Sequence, residues 1–146
     1  MESKRAKFFE CTCKYDKTLE TGQTKKVFET NVVEASSFTE AETRYSNEMA
    51  NYVNGEFEVT AIKIAKYGEV VLSENEKDDK WFRVKVAFIM IDEKTAVEKR
   101  HNVTYLVNAE TLDVAVKNIN EFFNSAMSEY SSISVQETKI FDVFLY

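Results

Sequence analysis

Two cysteines, one histidine and a scatter of lysines and arginines are the side chains through which this 146-residue chain could do chemistry. Phe9, Cys11, Cys13 and Tyr15 alternate with Phe8, Glu10, Thr12 and Lys14. Period two is the signature of a half-buried strand, so both thiols fall on one face. Two thiols so placed suit neither a disulfide nor, alone, a metal site, and they read as core cysteines. His101 is the single histidine, which excludes any two-histidine metal site. A nucleophilic triad would need it as base. It lies in Lys99-Arg100-His101 with no Gly-x-Ser-x-Gly elbow in the chain, and reads as a surface or satisfied histidine.

The run Glu74-Asn75-Glu76-Lys77-Asp78-Asp79 lacks the central glycine and distal glutamate of a calcium loop, so it reads as a solvated connector. Gly22, Gly55 and Gly68 are too far apart to cradle a phosphate. Glu40 and Glu42 belong to a helix first turn, where they complement the dipole. One pattern remains. Lys63, Lys66 and Tyr67 precede the acidic run, and Arg83, Lys85, Lys99, Arg100 and His101 follow it. Basic groups beside aromatics on a sheet can hold an anionic, ring-bearing ligand. The plainer account of any one of them is a solvated charge.

The elements that must position these groups come twice. Residues 8–15 and Val27–Val33 form a hairpin around Gly22. Val27 and Phe28 fit opposite faces of the return strand, which leaves its inward face open. Ser37 with Glu40 is a capping-box spacing, and Phe38, Ala41, Tyr45, Met49, Tyr52 and Val53 make one apolar helical stripe. Asn54-Gly55 ends that helix. Phe57, Val59 and Ala61 start a third strand, and the change of phase at Ile62 and Ile64 implies a bulge. After the acidic connector, Trp81–Ile91 and Lys99–Val107 make a second hairpin. Thr111 caps a second helix with Leu112, Ala115, Ile119, Phe122, Phe123, Ala126 and Tyr130 on its stripe, and Ile133–Tyr146 is the closing strand region. An offset of 74 carries Ser37 onto Thr111 and Ala41 onto Ala115; an offset of 76 carries Val59 onto Val135 and Ile64 onto Ile140. The expected fold is α+β: one domain over residues 1–146, built from two tandem strand–strand–helix–strand repeats at about 8–72 and 81–146. Its sheets would be antiparallel, with two helices packed on one face.

Val84, Val86, Phe88 and Met90 form one face of a strand whose other face runs Arg83, Lys85, Ala87, Ile89, Ile91. Residues 86–91 are thus apolar on both sides, and the second face needs a cover. Either another part of the chain supplies it or a second subunit does, with Ile89 and Ile91 at the interface.

Composition sets the outer bounds. The net charge is −6, which disfavours a general nucleic-acid binder. No apolar run approaches the roughly 20 residues that span a bilayer, and Met1–Arg5 leads into a strand-like segment rather than a secretory leader. A reducing, cytoplasmic location is the expectation, with no cofactor, no metal and no membrane partner.

Several stretches resemble a known family. They are Ser37-Phe38-Thr39-Glu40-Ala41-Glu42, Gly55-Glu56-Phe57-Glu58-Val59, Ile62-Lys63, Ala65-Lys66-Tyr67, Trp81-Phe82, Val84-Lys85-Val86, Asp92-Glu93-Lys94 and the ending Glu137-Thr138-Lys139-Ile140-Phe141-Asp142-Val143-Phe144. Together they resemble domain of unknown function 4494, seen in gut Bacteroidales and their phages, over nearly the whole chain. The resemblance implies a small cytosolic protein of phage or prophage origin and brings no catalytic residue with it. The expected role is a non-enzymatic binding protein acting as a homo-oligomer. It would capture a host partner or a small anionic, nucleotide-type signalling ligand, as in counter-defence. The alternatives are an accessory of phage DNA replication or packaging and a minor virion or assembly protein.

Overall fold

The structure is a computed structural model that describes residues 7–124 and 130–146. It is α+β, with mixed sheets and two helices. The elements run β1 (Lys7–Thr18), β2 (Thr24–Ala35), α1 (Phe38–Tyr52), β3 (Phe57–Ala65), β4 (Glu69–Val71), β5 (Lys80–Ile91), β6 (Glu98–Ala109), α2 (Leu112–Phe122), β7 (Tyr130–Glu137) and β8 (Ile140–Phe144). Among the described residues, no helix is long and apolar enough to cross a membrane.

The chain divides into two compact units, and these are not the sequence halves. One runs to Lys66 and takes in Ile140–Tyr146; the other is Tyr67–Lys139. In the first, strands lie in the order β3-β1-β2-β8. β1 and β2 pair antiparallel from Lys7↔Ala35 to Thr18↔Thr24, and β8 runs parallel to β2. In the second the order is β4-β6-β5-β7, and β4 runs parallel to β6. Each sheet therefore ends in one parallel strand, where wholly antiparallel sheets were expected. The closing region is likewise two strands, β7 and β8, which enter different sheets.

In the first unit α1 lays Ala41, Tyr45 and Met49 against Phe9, Cys11, Cys13 and Val33. Ser37 Oγ accepts the Glu40 N–H at 3.1 Å. The reciprocal arm of the box falls one residue early: Glu40 Oε1 accepts from the backbone N–H of Ser36, at 2.9 Å. The helix stops at Val53, whose extended backbone (φ −97°) caps it; Gly55 supplies the positive φ of the turn beyond. The register settles the return strand. Val27 stands opposite Tyr15 on the α1 face, and Phe28 is left 64% exposed. The bulge is present where β1 pairs with β3, at Thr60 rather than at Ile62: Thr12 faces Ala61 and Cys13 faces Val59.

In the second unit α2 packs Ala115 and Ile119 onto Phe82, Val84, Val86, Tyr105 and Val107. Thr111 Oγ1 accepts the Val114 N–H at 3.3 Å. This helix ends sooner than its stripe implied. Tyr130 opens β7, and Ala126 lies outside the described residues. Tyr130 still packs in the same core, 4.7 Å ring to ring from Phe123, so spacing alone could not tell a helical neighbour from a strand one.

Candidate functional site

The β5 register sorts the predicted basic residues by face. Residues directly opposite on neighbouring strands share a side. Arg83 lies between Leu106 and Gln136, Lys85 between Thr104 and Ser134, and Ala87 between Asn102 and Ser131; Ile89 faces Arg100. This is the face turned away from α2. Lys99 and His101 pair with Met90 and Phe88, so they stand on the α2 side, and both are exposed. The expected cluster thus splits: Arg83, Lys85 and Arg100 stay together, and Lys99 and His101 do not join them. Tyr67 does join, for its hydroxyl accepts a hydrogen bond from Arg83 Nε at 3.2 Å. Gly68, just before β4, brings that backbone against β6. Its N–H bonds the Thr104 carbonyl at 2.8 Å, and a Cβ there would lie 2.4 Å from Val103 Cγ1. Lys63 and Lys66 are exposed members of the other unit, Lys63 standing opposite Glu10 on β1.

From Gln136 and Ser134 across Arg83 and Lys85 to Thr104, Asn102 and Arg100, no carboxylate stands in the register. The first acid along β6 is Glu98, opposite Ile91 at the hairpin end. Successive same-side positions on a strand are about 7 Å apart, within the span of a phosphate-bearing ligand. Arg83 is half-buried, while Lys85, Arg100, Asn102, Ser134 and Gln136 are exposed. Sequence reasoning missed Thr104, Asn102, Ser134 and Gln136, because only pairing across strands brings them beside the basic groups.

The apolar end of this face is covered only in part. Ala87 is fully buried and Ile89 half-buried, but Ile91 is 68% exposed; Met90, on the α2 side, and Val97, in the turn before β6, are exposed as well.

The second unit also holds a cleft of about 560 Å³, lined by Leu72, Ser73, Glu74, Glu110, Lys117 and Phe122 among others. Asp78 at its wall is the buried exception in the 74–79 connector, whose other residues are exposed. It is buried, accepts the Glu110 N–H at 2.9 Å and an Asn118 amide at 3.4 Å, and bonds the Ser73 hydroxyl. Asn118 also donates to the Asn108 carbonyl at 2.8 Å. These bonds tie the connector to the start of α2, and a rim of Glu74, Glu110 and Glu121 repels anions.

Cys11 and Cys13 are buried under α1 as free thiols. Burial, reinforced by the neighbouring Glu10 carboxylate, pushes the Cys11 thiol up to about 12, so the nucleophilic thiolate is disfavoured.

No curated protein and no solved structure matches this chain. The family model described as domain of unknown function 4494 matches residues 7–146, and the chain belongs to that family.

Proposed function

We propose that the chain is a non-enzymatic binding protein of phage or prophage origin that captures a small anionic, nucleotide-type ligand in counter-defence. The ligand would sit on the face of β5 and β6 that carries Arg83, Lys85 and Arg100. The observation that carries this reading is local charge. In a chain of net charge −6, three basic groups share one sheet face, and the residues opposite them on the neighbouring strands are hydroxyl, amide and apolar side chains. Arginine gives forked donors to phosphate oxygens and Lys85 a point charge. Tyr67, held by Arg83, offers a ring beside them.

Homo-oligomerisation belongs to the same reading. Ile91 is exposed at the end of β5, on the face that bears Arg83 and Lys85, and Met90 and Val97 are exposed at the same end of the hairpin. Burying one isoleucine is worth roughly 1.5–3 kcal/mol, and a two-fold axis gains it twice.

Native mass spectrometry of protein purified from phage-infected cells tests both parts. The expected spectrum is an oligomer with a retained ligand mass. Arg83→Ala with Lys85→Ala should lose that mass and keep the subunit number. Ile89→Lys with Ile91→Lys should give a folded monomer. A wild type that flies as a bare monomer would overturn the proposal.

A further inference from the structure

Each sheet is finished by a strand from the other half of the sequence. β4 lies in the first half yet pairs with β6; β8 lies in the second half yet pairs with β2. We infer that the chain is a fused pair of strand–strand–helix–strand–strand repeats that have exchanged their last strands, so that neither half is complete without the other.

Four independent features agree. Both halves run in the same element order. Both sheets have the same connectivity: the third strand of a repeat lies antiparallel to its first, and a fourth strand lies parallel to its second. Both hairpins pair residue for residue over their whole length, from Lys7↔Ala35 and from Lys80↔Ala109. The pairing with the third strand slips at the same step, between Thr12 and Cys13 in one and between Lys85 and Val86 in the other. Counted from Lys7 and Lys80, those are the same positions. A bulge is a local, sequence-specific insertion, so its recurrence at one step argues for common descent of the halves. The bulge also corrects the offset of 76. Pairing carries Val59 onto Ser132, and Ile140 belongs to a fourth strand, not to the end of the third.

The exchanged strands bring core residues with them. Phe144 enters the core under α1, with Tyr52 stacked on it at 6.1 Å. Tyr146 then fastens the segment. Its N–H bonds a Glu34 carboxylate oxygen at 2.8 Å, its hydroxyl donates to Glu48 at 2.6 Å, and the Arg44 guanidinium lies 4.3 Å from its ring centre. Val71 of β4 enters the core under α2. The first unit therefore lacks a sheet edge and a core aromatic until residues 140–146 have been made. Exchange of an identical element between protomers is an established route to dimers, and fusion of two such protomers would leave this connectivity.

The test cuts the full chain once, at a protease site inserted between Glu76 and Lys77, in protein that carries Thr30→Cys and Ile140→Cys. Those positions face each other across β2 and β8. After cleavage in native buffer the fragments should elute together with an unchanged circular dichroism spectrum. After mild oxidation a non-reducing denaturing gel should show them joined at the mass of the intact chain. Glu69→Cys with Tyr105→Cys repeats the measurement on the other sheet, should the first pair fail to fold. Fragments that part in native buffer overturn the inference. So do two separate bands from a folded pair, or, when the uncleaved protein is oxidised first, a band at twice the chain mass on the same gel, which would place the exchange between chains.

Discussion

At the fifth residue of its first strand, one unit sets Cys11 opposite Asn31 beneath its helix; at the same step the other sets Val84 opposite Tyr105. Two residues further, Cys13 faces Glu29 in the first and Val86 faces Val103 in the second. The helices answer in kind. Tyr45 of α1 points a hydroxyl inward, donating to Asn31 Oδ1 at 3.0 Å, where α2 buries aliphatic Ile119. Aromatic packing finishes the second core, with Phe123 5.1 Å from Tyr105 and 5.5 Å from Phe88. The same strand pairing thus accommodates either a polar or an apolar layer. What the framework demands at this level is filled volume, and the polar layer meets it with one inward hydroxyl bonded to the Asn31 carbonyl oxygen.

The largest expected effect probes the apolar core. Phe82→Ala should cost about 3–5 kcal/mol, through lost burial and the cavity left under α2. Phe9→Ala, at the third position of its own strand, should cost about the same, because Phe9 is as deeply buried. Urea unfolding of both variants measures the pair. A clearly smaller loss at Phe9 would show that the polar unit is also the looser one.

The next effect is specific to the polar layer. Tyr45→Phe strands the Asn31 carbonyl oxygen in a site with no solvent access, at about 1–3 kcal/mol. The Asn31 amide nitrogen has no hydrogen-bond partner among the described residues, so Asn31 already carries a burden. Asn31→Val combined with Tyr45→Phe removes both polar partners and should recover most of the loss. A double variant as unstable as the sum of its parts would show that the layer is held by more than this bond.

Alkaline pH should separate the two units as well. The Cys11 thiol titrates near 12 in the fold and near 9.0 when free, raised mainly by burial. A raised acid pKa favours the neutral form in the native state. Its contribution is therefore whole below about pH 9 and is lost as pH rises from there through about 12. Cys11→Ala should flatten the fall in urea midpoint between about pH 8 and pH 10.5; the layer around Val84 has no thiol, and its own alkaline response comes from the Tyr105 phenol, which burial also pushes up.

How far the sequence reveals this arrangement depends on the range of each contact. The face of Phe9, Cys11, Cys13 and Tyr15 was legible because alternation is local, and so were the helix starts at Ser37 and Thr111. The inward face of β2 was not, because it is partly polar: Glu29 and Asn31 look outward until Tyr45 is known to meet Asn31. The exchange of β4 and β8 was illegible for a deeper reason, since no local pattern says which distant strand will lie beside an apolar run. The candidate site was half legible for the same cause. Arg83 and Lys85 share a face by alternation, whereas the placing of Arg100 with them, and of Lys99 and His101 against them, is set by hairpin register.

The smallest expected effect compares the hairpin turns. Both need a residue in the left-handed region: Gly22 at φ +84° in the first, Ala96 at φ +55° in the second. Each turn is closed by a backbone bond from that residue, Gly22 N–H to Leu19 O at 2.9 Å across three residues and Ala96 N–H to Asp92 O at 2.7 Å across four. A left-handed non-glycine residue costs about 1–2 kcal/mol, and the extra freedom that glycine loses on folding offsets about 0.5–1 of it. Ala96→Gly should therefore stabilise the protein by about 0.5–1 kcal/mol. Gly22→Ala should destabilise it by a similar amount, through backbone alone, since a Cβ there meets nothing within 4 Å. Thermal unfolding of the two variants against the wild type gives the signs directly. Opposite signs mean that backbone conformation governs both turns; equal signs would mean that the second hairpin relaxes around Ala96 and the two turns are not equivalent.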